Sequence, residues 1–117
     1  MVVKGNGPAV FGNYVHTGAD LLLLTSNHRF RGALLIPYDE QFIHKSVIVG
    51  DAVWIGDRVT ILGGVKIGKG AIIQAGSVVV FDIPDYAIAG GNPAQVFAYR
   101  NKEEFDQLYE KSKFLTV

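Results

Sequence analysis

Residues 47–82 read VIVGDA, VWIGDR, VTILGG, VKIGKG, AIIQAG and SVVVFD, six consecutive blocks of six. The third position of each block is Val49, Ile55, Ile61, Ile67, Ile73 or Val79, and the first is Val47, Val53, Val59, Val65, Ala71 or Ser77. Apolar residues two apart alternate as in a strand, whereas a helix needs spacings of three and four. Glycine, aspartate and other turn formers close the blocks, so the unit is a short strand plus a turn. A six-residue unit of this kind predicts a parallel β-helix, with each block forming one flat face and its third residue pointing at the axis.

Working outward, AVFGNY from Ala9, VHTGAD from Val15 and LLLLTS from Leu21 fit the same frame, with Phe11 and Thr17 standing where an aliphatic is expected. Nine blocks at three faces per coil predict about three coils. At roughly 4.8 Å per strand layer such a stack is on the order of 15 Å tall, near the minimum that buries a core, so self-association is expected. The frame breaks once, over Asn27–Ser46, which holds His28, His44, Tyr38, Phe42, Asp39 and Glu40. A long excursion from a rigid solenoid is where function is commonly carried. After the repeats, Gly90-Gly91-Asn92-Pro93 is a turn signal that stops the coil. Asn101 followed three residues later by Glu104 predicts a helix start, and Phe105, Leu108, Tyr109 and Ser112–Leu115 place an apolar stripe along that helix. The expected division is a β-helix domain over 1–98, with the extruded loop at 27–46, and a helical segment over 99–117.

Composition narrows the function. The 117 residues carry 11 Lys+Arg and 11 Asp+Glu, a balance that argues against a nucleic-acid partner. Cysteine is absent, which removes disulfides, thiolate metal sites and a cysteine nucleophile, and favours a cytoplasmic location. Met1–Asn13 has no signal-peptide pattern, and the apolar, uncharged stretch Gly70–Phe81 is too short to span a bilayer. Hydrophobic residues are 49% and charged residues 19%, a heavy apolar load for one small domain and a further reason to expect subunit contacts.

With SNHRF ahead of the excursion, VWIG in the repeats and DIPDYAIAGGNPAQVF after them, the chain resembles the hexapeptide-repeat acyltransferases. The likeness is greatest to the maltose, galactoside and surface-polysaccharide O-acetyltransferases, with the xenobiotic acetyltransferases nearby, and it runs from about Ala9 to Phe97. It implies an all-β, left-handed parallel β-helix and a homotrimer with acetyl-CoA as co-substrate between adjacent prisms. It implies that His28 is the general base. It also implies that Trp54 lines the acyl-CoA channel and that Asp57, Ala75 and Val80 contact the pantetheine. Basic residues that the family places after the last coil are here Phe81, Gln95 and Ala98; Lys66, Lys69, Lys102 and above all Arg100 stand nearby as replacements. The family also carries extra N-terminal coils with acceptor contacts that this sequence does not contain.

Acetyl transfer from a thioester to a hydroxyl needs a base that takes the hydroxyl proton as oxygen attacks, a task suited to an imidazole, which titrates near pH 6.5. No covalent acyl-enzyme is required, in keeping with the lack of cysteine. The oxyanion needs a donor, either a backbone N–H or the amide of Asn27. Tyr38 and Phe42 are candidates to stack on an acceptor sugar ring, or else to anchor their own loop. Asp20, Asp39 and Glu40 are candidates to orient His28, or else solvated loop charges. His16, at an outward second position, reads as a surface or intersubunit residue. Gly63–Gly70 nearly spells a phosphate-binding loop, but Gly70 stands in place of the required Ser/Thr. His16, His28 and His44 lack the spacing of a shared zinc site, so no metal is expected. The leading reading is an acetyl-CoA-dependent O-acetyltransferase acting on a sugar or glycan hydroxyl. The alternatives are a shortened, non-catalytic trimeric binding module and an acetyltransferase for an antibiotic hydroxyl.

Overall fold

A computed structural model describes residues 1–116, so Val117, the last residue of the expected helical segment, lies outside the described residues. Strands β1 (Val2–Lys4), β2 (Ala9–Phe11), β3 (His16–Thr17) and β4 (Leu22–Leu24) lead into a hairpin of β5 (Ser26–His28) and β6 (Phe42–His44). Then follow β7 (Val47–Val49), β8 (Trp54–Ile55), β9 (Thr60–Leu62), β10 (Lys66–Ile67), β11 (Ile72–Ile73) and β12 (Val78–Val79). The chain ends with β13 (Ala87–Gly91), β14 (Ala94–Tyr99) and α1 (Lys102–Glu110).

Every strand from the hexads pairs in parallel with the strand three hexads away: Ile48 with Lys66, Trp54 with Ile72, Thr60 with Val78. Across the excursion the same faces stay in line, Ala9 with Val47, His16 with Trp54 and Leu22 with Thr60. One face therefore stacks β1, β4, β9 and β12, a second β2, β7 and β10, and a third β3, β8, β11 and β13. Beyond the nine blocks, β1 lies under the first face and an Ile67–Ile83 bridge continues the second. At the Gly90–Pro93 turn β13 reverses into β14, an antiparallel edge that ends the parallel stacking.

First and third positions build the core. Val47, Val49, Val53, Ile55, Val59, Ile61, Val65, Ile67, Ala71, Ile73 and Val79 are all buried, while second positions such as Ile48 and Trp54 face out. Ser77 is the one polar first position of the six blocks, and its hydroxyl donates to the Gln74 carbonyl at 2.7 Å and accepts from the Gly91 N–H at 3.2 Å. In the earlier blocks Phe11 is partly buried against the core but Thr17 is exposed, so only the first of these two departures fills an aliphatic's place.

The corners explain the rest of the hexad. The sixth position takes a left-handed backbone in Tyr14, Asp20, Ala52, Arg58, Gly64, Gly70 and Gly76, with φ between 54° and 93°. Glycine is the cheapest occupant of that conformation, which is why three later blocks end in it. Aspartates at the corners tie each coil to the one below. Asp51 accepts from Asn13 N–H, Asp57 from Ala19 N–H and Asp82 from Lys66 N–H, each at 2.8 Å. Gly18 sits under Asp57, where a Cβ would lie 2.8 Å from the backbone nitrogen, so the fourth position of that block must be small.

Helix α1 starts where expected: Asn101 Oδ1 accepts from Glu104 N–H at 3.0 Å. It stops earlier than the apolar stripe suggested, with Lys111 as C-cap and Ser112 at φ 54°, so Ser112–Leu115 leave the helix as a tail. The helix is fastened by Tyr109, whose hydroxyl donates to Asp51 Oδ2 at 2.7 Å. That bond, followed by the Asn13 N–H, holds the Asp51 carboxyl below the usual carboxylate range. A carboxyl lowered by folding stabilises above its unfolded value of about 3.9, and the contribution vanishes as pH falls through the folded value. Acidification below about pH 4 is therefore expected to loosen the helix first, read as a change in emission of the single Trp54 while the far-UV β signal persists. Tyr109→Phe leaves Asp51 without that donor and should remove most of the pH dependence of the transition.

Candidate functional site

His28 is the last residue of β5, paired across the hairpin with Phe42 of β6. Its exposed ring is held by aromatics: the Tyr38 ring lies on it at 3.7 Å and 14°, and Phe42 is tilted to it at 4.8 Å. At the root of the excursion Arg29 and Asp39 form an ion pair, with Arg29 Nε donating at 2.9 Å. Asp39 also accepts from the N–H groups of Gln41 at 2.9 Å and Leu34 at 3.3 Å. The Arg29 guanidinium, acting first through that hydrogen bond, lowers the Asp39 carboxyl from its ordinary value. Asp39 is thus a buried loop clamp on Arg29, neither a solvated charge nor a partner of His28. His44 takes a local role as well, its Nδ1 lying 2.5 Å from the Ser26 hydroxyl.

His28 and Asn27 line a cleft of about 400 Å³ together with Val80, Leu62, Arg31 and Lys45. The stem of Lys45 runs past Gly63 and Gly64, close enough that a Cβ on either would touch it. Arg31 and Lys45 bring two positive charges to the cleft. Sequence reasoning passed over both, although each lies within the excursion that holds His28.

The other expected site residues lie elsewhere. Trp54, on the outward side of the third face, lines a second cleft of about 460 Å³ with Arg100, Tyr14, His16, Tyr109 and Phe114. His16 Nε2 is 2.8 Å from the Leu115 carbonyl, and Tyr14 stacks on Phe114 at 3.8 Å, so the tail closes one side of this cleft. Arg100 donates to the Gly70 carbonyl at 2.6 Å and its partial burial lowers its pKa. Asp57 has one carboxylate oxygen on Ala19, and Ala75 is exposed on the coil above Gly56. Lys102 is paired with Asp106 at 3.0 Å, and Lys69 lies over the rings of Tyr109 and Tyr86. Within one chain the expected residues thus form two groups, His28, Asn27 and Val80 in one cleft and Trp54 and Arg100 in the other. Among the described residues no cluster of three potential metal ligands occurs.

Residues 46–80 match the family described as bacterial transferase hexapeptide (six repeats). The chain carries the bacterial transferase hexapeptide repeat. Over 108 residues it is 37% identical to a galactoside O-acetyltransferase of Lactococcus lactis, covering 87% of this chain and 48% of that protein. Over 111 residues it is 44% identical to a chloramphenicol acetyltransferase of Escherichia coli, covering 81% and 53%. Among solved structures, a galactoside acetyltransferase in complex with coenzyme A superposes with a TM-score of 0.72 at 28% identity, covering 83% of this chain and 48% of that one. The chain spans about half the length of these curated relatives. The fold is the left-handed parallel β-helix of the hexapeptide acetyltransferases. In this hexapeptide chain both clefts lie beside outward-facing residues of the repeat, and of the core cluster Val53 reaches the wall of the second.

Proposed function

We propose that this chain, a left-handed β-helix of about three coils, works as an acetyl-CoA-dependent O-acetyltransferase on a sugar or glycan hydroxyl, with His28 as general base. The observation that carries the reading is the placement of His28: its imidazole stands in a cleft with Asn27, Arg31 and Lys45, at the edge of a hexapeptide prism. The named relatives and the coenzyme A complex support the reaction class and the co-substrate.

In this reading His28 takes the acceptor's proton as its oxygen attacks the thioester carbonyl. The tetrahedral oxyanion collapses by expelling the CoA thiolate, which recovers the proton from the imidazolium, so charge and protons balance without an acyl-enzyme. The Asn27 amide is a donor for the oxyanion. Arg31 and Lys45 suit the phosphates of CoA, while Arg100, the residue expected in that role, stands in the other cleft with its Nε on the Gly70 carbonyl. The separation of Trp54 from His28 within one chain is what a site shared between neighbouring subunits requires, and it supports a homotrimer whose clefts meet pairwise. The excursion's tip, with Leu34 87% and Ile36 95% exposed, adds apolar surface that a neighbouring copy would cover.

The experiment is an acceptor panel with acetyl-CoA, following release of free CoA thiol. Saturable release with galactosides, maltose or a glycan is expected. A second reading, favoured by the 44% identity to chloramphenicol acetyltransferase, keeps the same chemistry for an antibiotic hydroxyl. Chloramphenicol therefore belongs in the panel, and turnover with it alone would replace the sugar.

A further inference from the structure

We propose that Tyr38 is a positioning residue for His28, fixing the plane of the imidazole, and that it does not stack on the acceptor. This rests on the reading of His28 as the base. Tyr38 and His28 lie face to face at 3.7 Å with 14° between their planes, so one face of the tyrosine ring is already occupied. Phe42, the strand partner of His28, is tilted against the same imidazole at 4.8 Å.

The backbone makes this stack a built feature. His28 precedes Arg29 and Tyr38 precedes Asp39, and these two following residues are bonded to each other through both side chains and main chain. Asp39 N–H donates to the Arg29 carbonyl at 3.1 Å, and Arg29 N–H donates to the Gln41 carbonyl at 2.9 Å. The Arg29–Asp39 ion pair closes the same junction. Clamping positions 29 and 39 brings positions 28 and 38 side by side, and the two rings then meet. An exposed imidazole at a strand end otherwise samples several rotamers, and a base acts only when its nitrogen is within hydrogen-bond reach of the proton it takes. Restricting the ring to one plane therefore acts on the chemical step, with little effect on how tightly either substrate binds.

The test uses the full chain and two variants, Tyr38→Ala and Tyr38→Phe, with His28→Ala as control. Two readouts are taken: steady-state kinetics, and the NMR shifts of the His28 ring protons, which a stacked aromatic ring displaces. Tyr38→Ala is expected to lower kcat by about tenfold with the acceptor KM within about twofold, and to abolish the ring-current displacement. Tyr38→Phe keeps the stack and should restore both. A raised acceptor KM with kcat preserved would overturn the proposal in favour of acceptor stacking, and so would a lost ring-current displacement with unchanged kcat. If His28→Ala itself retains turnover, the general-base reading falls and the proposal falls with it; if only Tyr38→Ala is silent, the base stands and Tyr38 loses its role.

Discussion

His28→Ala is expected to lower kcat for acetyl transfer by about 10²–10⁴-fold while leaving the fold intact. The size follows from the role proposed for the imidazole: without a base the acceptor must attack as a neutral alcohol, and the departing thiolate has no poised proton. The fold should survive because the His28 side chain is exposed and its contacts are confined to the excursion, away from the buried first and third positions. Thiol release measured on protein of unchanged circular dichroism checks it. Turnover within tenfold of the parent would remove His28 from the chemistry.

Ile61→Ala is expected to have the largest effect on stability. Ile61 is fully buried in β9, paired on one side with Leu23 of β4 and on the other with Val79 of β12, so a cavity there lies in the middle of the first face. Ladder hydrogen bonds on both sides leave the backbone little freedom to close it. A buried isoleucine cut to alanine costs about 2–5 kcal/mol, which for a domain of this size lowers Tm on the order of 10 °C. The outward neighbour Thr60→Ala, on the same strand, should change Tm by only a few degrees. Equal losses at the two positions would mean that Ile61 does not point at the axis.

The prism was legible because its cause is local and repeated. A two-residue alternation closed by a turn former specifies strand and inward face at once, and Ile55, Ile61, Ile67 and Ile73 lie where their positions in the hexad place them. The corner chemistry was written in the same blocks but went unread: the sixth residue takes the left-handed backbone, and aspartates such as Asp57 tie one coil to the next. A fifth-position aspartate beside a fourth-position glycine satisfies a backbone N–H of the coil below, as Asp57 does with Oδ1, a structural role that stands beside the expected cofactor contact.

The excursion was legible only as an excursion. Arg29 and Asp39 are ten positions apart with no period between them, and nothing in their order says that they pair and leave Tyr38 on His28. Trp54 and His28 both carry the family resemblance, yet order along the chain does not reveal that their side chains line different clefts. The tail was misjudged for a simpler reason: Ser112–Leu115 continue the apolar stripe of the helix, but Ser112 turns the backbone out of it, and Phe114 and Leu115 are spent on Tyr14 and His16 instead.

The central claim is that the chain binds acetyl-CoA at a cleft built by His28, Arg31 and Lys45. A calorimetric titration of the purified protein with acetyl-CoA, and separately with CoA, tests it most directly. The account predicts saturable binding near one site per subunit, weakened when Arg31 and Lys45 are both replaced by alanine. Absence of binding to either ligand would contradict it and would leave the chain a non-catalytic β-helix module.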